Sequence, residues 1–162
     1  MAVPSFLNDL EHSGLSVWLR ESPSVFGFYF ILVFHTIGLA LVVGPNTAID
    51  LRLLGFAPEI PLPPLKNWFN LIWLGLAINV VSGIFLVLAY PSKAFTNPDF
   101  YLKLTLIAVA VALVRPIARR AFALVNTTRL KTLAVASLVC WSGAIIAGRL
   151  LAYTYSRLLA NF

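Results

Sequence analysis

Apolar positions along the chain gather into four long runs, and polar positions into the short breaks between them. The first run covers residues 24–44, about the 20 residues that cross a hydrocarbon core of about 30 Å. Further runs cover residues 68–90, 100–121 and 132–155. None shows the alternation of a half-buried strand, and all are long enough to be membrane spans. Ahead of them, residues 5–20 place Leu7, Leu10, Leu15, Trp18 and Leu19 at helical spacing opposite Asn8, Asp9, Glu11 and Arg20. This pattern predicts a short amphipathic helix lying in the membrane interface.

The breaks carry their own signals. Ser22-Pro23 reads as a helix start, because serine accepts from free backbone N–H groups and proline suits the first turn. Pro45 is a kink site, Asp50-Leu51-Arg52-Leu53-Leu54 continues the helix out of the membrane, and Gly55 stops it. Four prolines (Pro58, Pro61, Pro63 and Pro64) make the next segment an extended loop. Residues 91–98 read as a short loop, and 126–129 as a turn. The first charges, Asp9 and Glu11, are acidic, so the first run is expected to be a retained span, not a cleaved signal. The expectation is an all-α fold: residues 1–162 form one transmembrane domain, a four-helix up-down bundle with an N-terminal interfacial amphipathic helix.

Composition strengthens this. Of 162 residues, 60% are hydrophobic and only 11% charged, with a mean hydropathy of +0.89. A soluble fold of this size could not hide so much apolar surface, whereas lipid accepts it. The net charge of +6 raises the possibility of a nucleic-acid partner, but the distribution argues against one. Arg52, Lys66, Arg115, Arg119, Arg120, Arg129 and Lys131 lie at one predicted end, with Asp50 and Glu59 as the acids there. Asp9, Glu11, Glu21 and Asp99 offset most of the positive charge at the other. By the positive-inside rule the first end is cytoplasmic and both termini face out, in a bacterial-type inner membrane. Membrane lipids are the expected neighbours of the basic charge, and no nucleic acid is expected.

Lipid tails are as apolar as leucine, so spans associate through small residues and hydrogen bonds. Gly75, Asn79 and Gly83 mark a seam on span two, and Ala136, Cys140, Ala144 and Gly148 one on span four. Asn79 at mid-membrane needs a partner, either another helix or a ligand. Cys140 is the only cysteine, so no internal disulfide or multi-cysteine metal site is available.

Candidate chemistry is sparse. His35 lies halfway along span one on a face with Gly27, Ile31, Gly38 and Val42, and Gly38 leaves room for a flat group. An ionisable residue at that depth is a functional candidate. Three readings stay open: a structural hydrogen bond, ligation of haem iron, and a quinone or proton-path contact. The only other histidine is His12 and the only methionine Met1, so one chain offers no evident second axial ligand. Arg149, inside span four, either snorkels towards Tyr153 and Tyr155 or holds an anionic group such as a propionate, a lipid phosphate or Glu21. Asp50 and Arg52, two positions apart, are expected to meet separate partners at the membrane surface. No nucleotide loop, serine triad or zinc site is present, and no carboxylate is expected within a span.

His35-Thr-Ile-Gly38, Asp50-Leu-Arg-Leu-Leu-Gly55, Asn97-Pro-Asp-Phe100 with Lys103, Trp141 and Gly148-Arg-Leu-Leu-Ala-Tyr153 together resemble an uncharacterised family of small bacterial four-helix inner-membrane proteins. The resemblance covers nearly the whole chain and implies a single four-helix domain. The histidine–glycine pattern of span one is also loosely similar to four-helix membrane haem proteins and copper-resistance membrane domains. Where such proteins carry a second histidine, near the end of span three, this chain reads Val114-Arg-Pro-Ile-Ala118. The leading expectation is an accessory or structural subunit packing with other membrane proteins or with copies of itself. The main alternative is a b-type haem or quinone-linked electron-transfer anchor, with His35, Gly38 and Arg149 at the cofactor and His35 as the iron ligand. A small-solute permease is a further alternative.

Overall fold

The computed structural model describes residues 5–22, 24, 27–122 and 128–159, with side chains for all of these except 120–122 and 154–159. The described residues are helical, with no strand among them, and four helices are long and apolar enough to cross a membrane. The chain is an all-α, multi-pass membrane bundle.

The interfacial segment is two helices, α1 (Ser5–Glu11) and α2 (Gly14–Glu21). They part at Ser13, whose hydroxyl donates to the Leu10 carbonyl at 2.7 Å and accepts from the Ser16 N–H at 3.3 Å, closing one helix and capping the next. The first span, α3 (Phe28–Leu54), starts later than the sequence suggested. Ser22 does not cap it: its hydroxyl accepts from the Ser24 N–H in a local turn. Pro23 lies outside the described residues. At the far end α3 runs unbroken through Pro45 to Gly55, whose left-handed φ of 107° stops it as expected. Arg52 then folds the proline-rich loop back, donating to the carbonyls of Pro58 and Ile60 at 2.8 and 2.6 Å.

A 3-10 turn (Pro63–Asn67) leads into α4 (Trp68–Ala89). The segment read as a plain loop holds a further helix, α5 (Pro91–Thr96), because Pro91 provides a pre-set first turn. Asn97 accepts from the Asp99 N–H at 2.9 Å and opens α6 (Pro98–Phe122). Of the turn expected at 126–129, residues 126 and 127 lie outside the described residues, while Thr128 and Arg129 are already helical and open α7 (Thr128–Leu159), which completes the bundle.

The four spans form two hairpins, α3–α4 and α6–α7, joined along one seam between α3 and α7. The α3–α4 crossing is close because glycine faces glycine. A Cβ on Gly38 would sit 2.8 Å from the Asn79 nitrogen, and one on Gly75 would sit 2.8 Å from the Gly38 oxygen. Small residues allow such backbone approach in lipid. On α7 the buried row is Ala134, Ser137, Trp141, Ala144 and Ala147, a register shifted from the row expected through Ala136 and Cys140. Val42, Ile49, Phe69, Val114, Ile117 and Trp141 pack the half of the bundle towards the arginine-rich end. Leu74, Val81, Ile84, Val139 and Ile146 are exposed on its outside, where lipid would cover them.

Candidate functional site

The other half of the bundle, capped by α1, α2 and α5, is not filled. In this half α4 and α6 stand apart, and between them lies a cleft of about 470 Å³. Phe28, Leu32 and His35 come from one face of α3, Asn79 and Gly83 from α4, and Lys103 and Leu104 from α6. Gly148 of α7 and Lys93 of α5 complete it, and no carboxylate lines it. Two glycines let polar side chains lie flat against the walls. A Cβ on Gly83 would meet His35 Cε1 at 3.5 Å, and one on Gly148 would meet the Lys103 stem at 3.7 Å.

Hydrogen-bond counting fixes how His35 is presented. The Ser82 hydroxyl has one hydrogen, and it is directed to the Ile78 carbonyl at 2.7 Å with the Asn79 carbonyl at 3.2 Å. With that hydrogen on the Ile78 carbonyl, the shortest of its contacts, Ser82 Oγ is the acceptor for a proton on His35 Nδ1, 3.0 Å away. In the neutral imidazole the proton then sits on Nδ1, and Nε2 is a bare lone pair. The Asn79 amide donates to the His35 carbonyl at 2.9 Å, the cross-helix partner its depth required. Side chain and backbone of residue 35 are thus both tied to α4.

Lys103 lies a turn and a half into α6. No carboxylate pairs with it among the described residues. Above it, Lys93 Nζ lies 6.0 Å from the Tyr90 ring centroid. Burial pushes the Lys93 ammonium below the ordinary lysine range. The roof is held by Arg20 of α2. Its guanidinium donates to the Ala89 carbonyl and to Ser16 Oγ, each at 2.9 Å, and to the Glu11 carbonyl at 2.9 Å. It also lies 3.9 Å from the Glu11 carboxylate and 5.8 Å from the Tyr90 ring. A free carbonyl at the end of α4 is thereby satisfied, and α2 is fastened over the cleft.

The residues singled out from sequence do not all meet here. His35 lines the cleft. Gly38, three positions on, is buried against the α4 backbone, which occupies the room expected over it. Arg149 is exposed and does not line the cleft, and it makes no ion pair with Glu21. His12 is exposed on the connection after α1, its Nδ1 2.8 Å from the Asn8 carbonyl. A six-coordinate haem therefore finds one axial nitrogen, His35 Nε2, and no second ligand among the described residues, where no cluster of metal-ligating side chains occurs either. Lys103, named in the sequence only beside Asn97-Pro-Asp-Phe100, is not singled out there as a site residue. The signal was its place within an apolar run, since a cation in a span marks a site by default.

Asp50 is the larger correction. It was placed at the membrane surface beside Arg52, with no carboxylate inside a span. It lies within α3 and is fully buried, because this face of the helix packs into the seam with α7 instead of facing the membrane surface.

Comparison with protein-family models, with curated proteins and with solved structures returned no match.

Proposed function

We propose that the chain is an accessory membrane protein that holds a lipid-soluble quinol or quinone in the cleft between α4 and α6. One observation carries this reading: an imidazole nitrogen with a bare lone pair and a lysine ammonium without a counter-ion share one apolar cleft. The first accepts a hydrogen bond and the second donates. A quinol head offers both complements, a hydroxyl that donates to His35 Nε2 and an oxygen that accepts from Lys103, on a flat apolar ring. The gap between α4 and α6 gives a lateral way in from the bilayer, and the apolar walls suit an isoprenoid tail. The excess of Arg and Lys at the opposite end supports placing the cleft in the outer half of a bacterial-type inner membrane. A second membrane protein, or a second copy, would receive the bound molecule.

A second reading has one specific support. A histidine whose Nδ1 is fixed by a hydrogen bond, leaving Nε2 free, is prepared as a metal ligand, so a five-coordinate haem b on His35 is the rival. Lys103 and Lys93 would then face its carboxylates.

The test is extraction of the protein purified by gentle solubilisation. About one quinone per chain is expected in the wild type. Retention should fall about tenfold in His35→Ala and in Lys103→Ala, the loss of one charge-assisted or buried hydrogen bond each. Quinone no more abundant than in the surrounding membrane, or retention unchanged in both variants, would overturn the reading. Anionic phospholipid lost in Lys103→Ala but kept in His35→Ala would replace quinone with lipid. A Soret band that vanishes in His35→Ala would replace it with haem.

A further inference from the structure

Away from the cleft, three polar side chains are sealed into the seam between α3 and α7. Asp50 and Ser137 are 0% exposed and Asn46 is 3% exposed. Asn46 Nδ2 donates to Asp50 Oδ2 at 2.7 Å and to Ser137 Oγ at 2.8 Å, which uses both amide hydrogens. Asp50 Oδ1 has no partner at all. Its surroundings do not supply one. Val42, Ile49, Leu53 and Ala134 of the same seam are apolar. Trp141 Nε1 is itself a buried donor without an acceptor, so it does not serve Oδ1. Arg52, the nearest cation in sequence, is turned away and bound to Pro58 and Ile60. No ion pair among the described residues includes Asp50.

The inventory is one-sided. Asp50 Oδ1 and the second lone pair of Ser137 Oγ are acceptors, and the donors left over, the Ser137 hydroxyl and Trp141 Nε1, are neutral. A buried carboxylate met only by neutral donors is strongly disfavoured in a medium that screens poorly. The site is short of one positive charge. A divalent ion is the wrong size of correction, since one carboxylate would leave it half neutralised and calcium takes six to eight oxygens, several of them charged. A monovalent one balances Asp50. We propose that Asp50, Asn46 and Ser137 form a buried site for one monovalent cation held on Asp50 Oδ1, either a proton or a sodium ion. The site sits on the α3–α7 seam, the most extensive contact between the two hairpins, so its occupant helps to hold the halves of the bundle together.

The full chain in detergent tests this through radiolabelled sodium retention, thermal unfolding in sodium or choline chloride at equal ionic strength, and infrared spectra of the carboxyl carbonyl stretch. With sodium as occupant, label is retained and the midpoint rises about 3 to 6 °C for each tenfold increase above the dissociation constant. Both signals vanish in Asp50→Asn. With a proton as occupant, sodium has no specific effect and the wild type shows the carbonyl band of a protonated carboxyl group at mildly alkaline pH, absent in Asp50→Asn. Ser137→Ala keeps the carboxylate and covers the case in which Asp50→Asn fails to fold. It should weaken sodium retention about tenfold or shift the carbonyl band. Either pattern supports the site. The absence of both retained sodium and a protonated band, or signals that persist unchanged in Asp50→Asn, or in Ser137→Ala where Asp50→Asn does not fold, would overturn it.

Discussion

The two polar regions of this bundle are built on one stripe of one helix and have opposite characters. His35, Gly38, Val42, Asn46, Ile49, Asp50 and Leu53 follow each other at helical spacing down the inward face of α3. At the capped end the stripe meets glycines and an unclosed gap between α4 and α6, and the result is a cleft with Lys103 in its wall and no carboxylate lining it. At the arginine-rich end it meets Phe69, Ile117 and Trp141, and the result is a packed seam with an anion and no cation. What separates the two is the filling supplied by neighbouring helices, not the helix itself. Where large side chains close the space, a polar group must find its complement inside the protein. Where small ones leave it open, the complement can come from the bilayer.

The change with the largest expected effect breaks the point where the two regions meet. Gly38 and Gly75 cross between His35 and Val42. A Cβ on Gly75 would sit 2.7 Å from Leu41 Cβ and 2.9 Å from its carbonyl carbon, contacts that no rotamer change relieves. Gly75→Ala should cost about 1–3 kcal/mol, and Gly75→Leu more, by forcing α3 and α4 apart. The cleft is lined by both helices, so ligand retention should fall with stability. The response of the α3–α7 seam to cations should persist in Gly75→Ala, because α7 does not contribute to that crossing. Unfolding of the detergent-solubilised variant in sodium and in choline salts reads both. A cation response lost together with the cleft would show that the regions are one cooperative unit.

A pair of asparagines sharpens the contrast. Asn46 spends both amide hydrogens on groups with no access to water, and Asn79 spends one on a backbone carbonyl in the wall of an open cleft. Asn46→Ala should cost about 1–3 kcal/mol, because it strands a buried carboxylate oxygen and a buried hydroxyl. Asn79→Ala should cost about 0.6 kcal/mol, the usual worth of an interhelical hydrogen bond in a membrane protein. Equal losses in denaturant titrations would remove the distinction between sealed and open polar groups drawn above.

How much of this could be read in advance follows the same division. The four spans were legible because length and apolarity alone mark a helix that crosses lipid. His35 was legible as a lone ionisable group in an apolar run, and Asn79 as an amide that needed a partner. The depth of Asp50 was not. The apolar run pauses at Gly44-Pro45-Asn46, so the span was expected to end there. The helix continues to Gly55 as expected, but its Asp50 face turns into the α7 seam, a contact between spans that the local sequence does not mark. The cleft was hidden for a related reason. It depends on α4 and α6 failing to meet, a relation between two hairpins that no local pattern records. Gly38 and Gly83 look alike in sequence, and only the crossing decides that the first touches backbone and the second an imidazole.

The smallest expected effect concerns the other unmatched atom of the sealed region. Trp141 is 3% exposed, and its Nε1 donor is buried without an acceptor. Trp141→Phe removes that donor, relieving a penalty of about 1–3 kcal/mol for a buried unsatisfied group. It also removes ring atoms from the packed seam, and the cavity left behind costs about as much again. The two terms oppose each other, so the net change should fall within about 1 kcal/mol of zero. The equivalent truncation of a tryptophan with a satisfied N–H would show the cavity cost and a lost hydrogen bond together. A loss well above 2 kcal/mol would mean that Nε1 has an acceptor in the membrane-embedded protein, an ordered water being the smallest candidate. Water at that level would extend the polar chain of Asp50, Asn46 and Ser137 by one turn of α7 towards the cleft, and the two regions contrasted here would then be connected through the seam.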